Sequence, residues 1–392
     1  MNAHQDSPAN SAPGATPIKD ASDDSHAATD TTPIAAVRAR PYKIPTDLPE
    51  ADGTFEWNAT TIVVVEIDAG GCTGLGYTYT DASAASLIVD TLAPELLHAD
   101  ARRIRALSLK LWRRVRNLGR SGLAATAISA IDCALWDLNA RLVEVPLVRL
   151  LGGRARECVP IYGSGGFTSY TDAQLREQFV RWVENDGCRA VKMKVGSDPA
   201  RDPQRVKAAR DAIGERQLFV DANGALTVKQ ALDCAERFAQ HGVSWFEEPV
   251  SSDDLAGLNA VRCAAPASMD IAAGEYGYTA DDFRHMLEAE AVDVMQADLT
   301  RCGGVTGFLQ AADLCDAWHI PLSAHCAPAL HLHVAAAAPR LRHQEWFHDH
   351  VRIESMLFDG APRPRDGAIM PDLSRPGCGL EFKRRDAERY AI

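Results

Sequence analysis

Between residues 159 and 348 the chain repeats a short apolar run eight times, and from the second run onward each has a polar residue at or near its end. The runs are VPIYG (159–163), AVKMKV (190–195), LFVDAN (218–223), SWFEEP (244–249), MDIAAGE (269–275), VDVMQADL (292–299), IPLSAH (320–325) and QEWFH (344–348). Amphipathic stretches such as Val206/Ala209/Ile213 and Val228/Leu232/Ala235/Phe238 separate most of them. Buried strands alternating with helices in this way predict an α/β fold, a (β/α)8 barrel. An open doubly wound sheet is the alternative. Eight regular units without a Gly-rich dinucleotide turn favour the barrel.

The polar residues mark a common level. Lys194, Asp221, Glu247, Glu275, Asp298 and His325 follow one another at steps of 27, 26, 28, 23 and 27 residues, and Glu345 comes 20 residues later. In a barrel the C-terminal strand ends converge on one mouth, where catalysis is placed. Asp221, Glu247 and Glu275 are carboxylates on consecutive strands. Three anions in one mouth repel unless a cation sits among them, and hard oxygen donors favour Mg²⁺. The plainer alternative is three separate carboxylates, each paired locally.

Lys192 and Lys194 are two positions apart, so both point to one face of their strand. At the mouth, Lys192 is expected to press on Lys194 and lower its pKa toward that of a usable base. Two solvated lysines on an edge strand are the plainer reading. Asp298 and His325 end neighbouring strands, and a carboxylate beside an imidazole fixes its tautomer and raises its basicity. Lys194 and His325 would flank a substrate. Glu345 would donate a hydrogen bond to it if protonated, or else be a rim residue in an ion pair. The pair His331/His333 lies in an alanine-rich helix, and His348/His350 would line the mouth or lie on a surface loop.

The rest of the chain frames the barrel. Residues 1–34 are rich in Ala, Ser, Thr, Asp and Pro, the composition of a disordered extension. ATTIVVVEIDAGGCTGLGYTYT (59–80) predicts a hairpin, and Ile128, Ile131, Leu135 and Leu138 give a helical period before Pro146 and LLGG. Residues 35–152 are therefore read as an α+β domain, 153–349 as the barrel, and 350–392 as a segment packing back on the first domain. The segment KIPTDLPEADGTFEW (43–57) is read as a loop. The formal net charge of −12, without a visible basic stripe, argues against nucleic acid. No apolar run approaches membrane-spanning length, and no secretory signal is visible. Ten cysteines without C-x-x-C spacing suit reduced thiols in a cytoplasmic protein.

The motifs VKMKV, VDAN, FEEP, AAGE, ADLTRCGGVTG and LSAH, in that order, resemble the enolase superfamily and within it the mandelate racemase subgroup. AISAIDCALWDLNARLVEVPLVRLLGG resembles that family's junction between capping domain and barrel. The resemblance implies a modified barrel under an α+β capping domain, and Mg²⁺ held by Asp221, Glu247 and Glu275. It also implies Lys194 as base, an Asp298–His325 dyad, Glu345 as electrophile, and Asn223, with Lys192, near the substrate. The muconate-lactonizing branch has a lysine where this chain has the dyad, which argues against dipeptide epimerases and cycloisomerases of that branch.

The shared chemistry is loss of the proton α to a carboxylate, and this superfamily's pairing of a Lys or His base with Mg²⁺ is a documented pattern. Dehydration of a sugar acid to a 2-keto-3-deoxy acid is the favoured outcome, because Tyr276, Tyr278, His348 and His350 suit a polyhydroxylated substrate. Racemisation or epimerisation of a 2-hydroxy acid comes second. A catalytically silent barrel used for binding is the non-enzyme alternative. A zinc hydrolase needs histidine ligands that the strand ends do not supply. Partners implied are a small carboxylate substrate and further copies of the chain in a homo-oligomer.

Overall fold

The computed structural model describes residues 31–392. The expected disordered extension therefore lies, up to residue 30, outside the described residues.

The chain opens with an antiparallel three-stranded sheet: β1 (Ile34–Ala51), β2 (Glu56–Ala69) and β3 (Cys72–Tyr79). The hairpin expected at 59–80 is β2–β3, turning at Gly70–Gly71. The 43–57 loop reading is corrected: most of that segment belongs to the strands β1 and β2, and residues 43–45 pair with 59–61. Two prolines in the segment, Pro45 and Pro49, and its scattered charges hid an 18-residue strand, because β1 is an edge strand, where proline is tolerated. The ladder breaks between Pro45 and Glu50, so residues 46–49 bulge out.

The helix Leu123–Leu142 lies across this sheet, with Ile128, Ile131, Leu135 and Leu138 all buried. Its approach is close because β3 carries glycines there. A Cβ on Gly74 or Gly76 would meet the Ala134 or Ala130 carbonyl oxygen at 2.1 or 2.2 Å.

Eight parallel strands follow: β4 (Val159–Gly165), β5 (Ala190–Lys194), β6 (Gln217–Asp221), β7 (Val243–Glu247), β8 (Asp270–Ala273), β9 (Val294–Ala297), β10 (Leu322–Ala324) and β11 (Leu341–Phe347). Each pairs with the next, and β11 pairs back onto β4 through Gln344↔Ile161 to Phe347↔Ser164. That last pairing closes the sheet and rules out the open doubly wound alternative. A helix follows every strand. Thr171 and Thr227 start two of them with capping boxes to Gln174 and Gln230. Below the mouth the barrel is filled by aromatic rings. Tyr162, Phe219, Trp245 and His343 pack with centroids 4.6 to 5.4 Å apart from one ring to the next.

After the helix His348–Leu357 the chain returns to both sheets. Ala368 and Ile369 pair with β4, and Arg141 pairs with Glu381 at 2.7 Å. Asp137, buried in the long helix, accepts hydrogen bonds from the Leu75 and Cys378 backbone, 2.8 and 2.6 Å. Ten free cysteines are present, seven of them buried. No helix among the described residues is long and apolar enough to cross a membrane. The expectation of no basic stripe is corrected: residues 102–120 hold eight Lys or Arg and no acid. The overall negative charge concealed it. Lys110 and Arg114 of this run pair with Glu95 at 3.0 and 3.5 Å.

Candidate active site

The seven strand-end residues meet at one place, and all are buried: Lys194, Asp221, Glu247, Glu275, Asp298, His325 and Glu345. Lys194, Asp221, Glu247 and Glu345 lie within strands. Asp298 and His325 come one residue after β9 and β10. Glu275 comes two after β8, and Gly274 makes that possible. Its φ is +131°, and a Cβ there would meet the Gln296 carbonyl oxygen at 2.1 Å. Past other strand ends, non-glycine residues hold positive φ: Asn223 at 45°, Glu248 at 37°, Cys326 at 50° and Ala327 at 38°. Such strain concentrates at functional sites.

Asp221, Glu247 and Glu275 each offer one oxygen, and the three atoms lie within 4.8 Å of one another. Glu275 Oε2 is buried, and its nearest cationic neighbour is His325 Nε2 at 3.3 Å. Burial and then Asp221 push the Glu247 carboxyl up to about 8, the response of a carboxylate crowded by anions. Three hard oxygens from three strands, converging in one buried place, fit Mg²⁺.

The lysines correct an expectation. Lys194 Nζ lies 2.5 Å from Asp221 Oδ2. Lys192 Nζ lies 2.5 Å from Glu247 Oε1, 2.8 Å from Glu345 Oε1 and 3.5 Å from Asp221 Oδ2. Burial works to lower both pKa values, but the carboxylates outweigh it and both are raised. Lys192 does act downward on Lys194, as expected, yet Asp221 acts more strongly upward. The anions that the neighbouring strands bring outweigh the repulsion between the two lysines.

On the other flank, His325 Nδ1 lies 2.9 Å from Asp298 Oδ2. His325 Nε2 lies 3.3 Å from Glu275 Oε2 and 3.5 Å from Glu345 Oε2. Burial opposes charge on this imidazole, but Cys326, Glu275 and Glu345 raise its pKa well above the ordinary value. Against the same burial, His325 and Arg301 hold Asp298 low. Glu345 differs from the protonated donor expected of it. Burial favours its neutral form, but Lys192 and then His325 hold it below the usual range. It accepts hydrogen bonds from Ser164 Oγ at 2.6 Å and Cys326 N at 3.0 Å.

Asn223 donates its backbone N–H to Asp221 Oδ1 at 2.9 Å, and its own Oδ1 is buried and unpartnered. Tyr276 and Tyr278 follow Glu275, and Tyr276 is 44% exposed. His350 does not line an open mouth. It is buried, stacks on Tyr79 at 3.5 Å, and accepts from Ala327 N at 3.2 Å. His348 starts a helix and pairs with Asp47 at 2.9 Å. His331 and His333 are buried acceptors of the Leu299 and Val148 backbone N–H groups.

Four neighbours went unremarked in the sequence. Arg301 donates to the Glu275 carbonyl at 3.0 Å and lies 3.6 Å from Asp298 Oδ2. Its position three residues past Asp298 was the available signal. Glu248, the second acid of FEEP, is buried with Oε1 unpartnered. Cys326 Sγ is 3.3 Å from both His325 Nε2 and Glu345 Oε2. Ser164 had no signal, since only barrel closure brings β4 beside β11.

A capped, closed barrel with a carboxylate cluster between a lysine and a His–Asp pair defines a metal-dependent enzyme of proton transfer at carbon. Residues 36–152 match the N-terminal domain of mandelate racemase / muconate lactonizing enzyme, and residues 174–387 match the enolase C-terminal domain-like family. The chain belongs to the mandelate racemase / muconate lactonizing enzyme family of the enolase superfamily. It is 35% identical to 3,6-anhydro-alpha-L-galactonate cycloisomerase of Streptomyces coelicolor, over 90% of this chain and 98% of the relative. It is 31% identical to arabinonate dehydratase of Saccharolobus solfataricus, over 87% and 92%. Among solved structures, a mandelate racemase/muconate lactonizing enzyme-like protein from Rubrobacter xylanophilus superposes with a TM-score of 0.89 at 48% identity, covering 92% of this chain and all of that one. A racemase from Streptomyces coelicolor with bound magnesium gives 0.86 at 33%, with coverage of 92% and 100%.

Proposed function

We propose that this protein removes the proton α to the carboxylate of a sugar acid and expels the β-hydroxyl as water, giving a 2-keto-3-deoxy acid. One observation carries the reading: a buried carboxylate triad with a lysine on one flank and a carboxylate-held imidazole on the other. Asp221, Glu247 and Glu275 are the residues that would hold Mg²⁺. Bound there, Mg²⁺ stabilises the negative charge that develops on the substrate carboxylate as the α-proton leaves.

Lys194 and His325 divide the proton work. With Asp221, Glu247 and Glu275 engaged by Mg²⁺, the anions that hold both groups protonated would be neutralised, so that one, deprotonated, takes the proton from the α-carbon and the other delivers a proton to the departing β-hydroxyl. The balance is acid to enol plus water, and the enol then ketonises. Asp298 accepts from His325 Nδ1, fixing the tautomer so that Nε2 faces the substrate. Lys192 and Ser164 hold Glu345 in place, and Asn223 offers its unpartnered amide oxygen to a substrate hydroxyl. Excluding water from these buried groups strengthens each interaction.

A second reading has support in the cycloisomerase relative. If the β-oxygen belongs to a ring, it leaves in the same way but stays tethered, and the product is an isomer. If the second group protonates carbon instead, the enzyme racemises. Incubation in D₂O with Mg²⁺ and a panel of aldonic, aldaric and anhydro-aldonic acids separates these. The expected result is a 2-keto-3-deoxy acid with deuterium at C3. Ring opening without water loss would favour the cycloisomerase. Deuterium at the α-carbon with no elimination would overturn both, in favour of racemisation.

A further inference from the structure

A second group of potential ligands lies apart from the catalytic carboxylates. Asp47 stands on the bulged part of β1, Glu50 is where the β1–β2 ladder resumes, and His348 is the first residue of the helix after β11. One donor atom from each lies within 4.8 Å of the others. His348 Nε2 is 2.9 and 3.1 Å from the two Asp47 oxygens.

Glu50 is the informative member. It is only 1% exposed, and its Oε1 is buried without a hydrogen-bond partner. The other oxygen accepts from Trp57 Nε1 at 2.8 Å, which fixes the carboxylate's orientation in the way that outer partners hold metal ligands. The chain's own cations are engaged elsewhere or stand back. Arg352 is taken up by Asp349 and by the Pro45 carbonyl. Arg181, which lines the neighbouring cavity, forms no ion pair with the group among the described residues. A buried carboxylate oxygen left without a partner calls for either a proton or a metal ion. A histidine nitrogen and two carboxylates converging on one point are the donors of a divalent transition ion rather than of Mg²⁺.

Access is provided. A cavity of about 190 Å³, lined by Asp47, Tyr170, Gln178, Arg181 and His348 among others, opens beside the group. The Asp47 side chain is 46% exposed, so water can complete the coordination from that side. The location also gives the site a purpose. Ser169 Oγ donates to the Pro49 carbonyl at 2.7 Å, and Thr168 N donates to the Ala51 carbonyl at 2.8 Å. Trp57 packs on Phe167 at 5.6 Å. The bulge is thus where the capping sheet crosses the barrel's rim.

We propose that Asp47, Glu50 and His348 form a second metal site, for a divalent transition ion such as Mn²⁺ or Zn²⁺, that pins the bulged strand of the capping domain to the barrel. This site needs no particular substrate, so it stands or falls separately from the proposed reaction.

Mn²⁺ is the probe, because its free form is counted by paramagnetic resonance and thiols compete for it weakly. Metal-stripped protein is titrated with Mn²⁺ with and without excess Mg²⁺. The expected result is two bound equivalents, of which Mg²⁺ displaces one. D47N and H348A should each weaken the Mg²⁺-resistant equivalent at least about tenfold. E247Q should lose the displaceable one and keep the other. Retention of the displaceable equivalent in D47N shows that the variant is folded. Complete displacement of Mn²⁺ by Mg²⁺ would overturn the proposal and leave a His348–Asp47 ion pair beside a protonated Glu50. A resistant equivalent unchanged in D47N and H348A would overturn it too, by placing the ion elsewhere.

Discussion

The two flanks of the barrel mouth handle the same problem differently. On the β5 side, two lysines from one strand are sunk among carboxylates of β6, β7 and β11, and Lys192 is wholly sealed from water. On the β9–β10 side, the imidazole takes its carboxylate from the adjacent strand, and the supporting cation, Arg301, comes from a loop and keeps 22% of its side chain exposed. The lysine flank is therefore a closed ion cluster, in which removing one charge leaves others stranded. The histidine flank is a chain of pairs with an outlet to solvent. A closed cluster ties every charge to the others, whereas in a chain of pairs one member can be solvated when its partner is removed.

The largest effect should come from the carboxylates that both flanks share. D221N/E247Q should abolish Mg²⁺ binding, measured calorimetrically, and lower turnover by about 10³-fold or more. Retained Mg²⁺ affinity would break the assignment. Next, K194A and H325A should each lower turnover by about 10²- to 10⁴-fold. The variant that still exchanges the substrate α-proton with D₂O retains the base, so the two flanks would be told apart.

The third prediction concerns stability. K192M should cost about 3–5 kcal/mol in chemical denaturation, because it leaves Glu247 and Glu345 buried and uncompensated. R301M should cost less, on the order of 1–2 kcal/mol, since part of that side chain already reaches water. Equal losses would erase the distinction between the flanks.

The effect that is smallest per step, spread over several pH units, lies behind the histidine flank. Glu354 accepts from Tyr77 OH at 2.6 Å and Ala329 N at 3.0 Å. Burial pushes its carboxyl from an ordinary 4.5 up to about 8. The folded protein then holds a proton that the unfolded chain has released. Stability from this group is full below about 4.5, falls as pH rises toward 8, and is level beyond. The slope should be on the order of 1 kcal/mol per pH unit, and E354Q should flatten it. Denaturation midpoints across that window would show an unchanged slope if Glu354 were already ionised.

Legibility in the sequence followed the kind of geometry involved. Lys192 and Lys194 were readable as a pair because a strand's period of two is local. Asp298 and His325 were readable because one βα unit has a nearly constant length. Arg301 and Glu248 sat inside quoted motifs, yet their roles depend on loop paths with no fixed period. The pKa of Lys194 was expected to fall and is raised, and Glu345 takes the ion-paired of its two readings, because each depends on partners delivered by other strands.

By itself the sequence determined that strands and helices alternate, that β5 to β11 carry polar residues at or just past their ends, and that these residues share one level. Those are consequences of chain periodicity, which acts over a few residues. Only the tertiary structure decided which charges touch. Closure of β11 on β4 brought Ser164 and Lys192 to Glu345, and the bulge in β1 and the residue just after it brought Asp47 and Glu50 to His348. Electrostatic energy depends on separations of a few ångströms between residues hundreds of positions apart, and no local pattern encodes them.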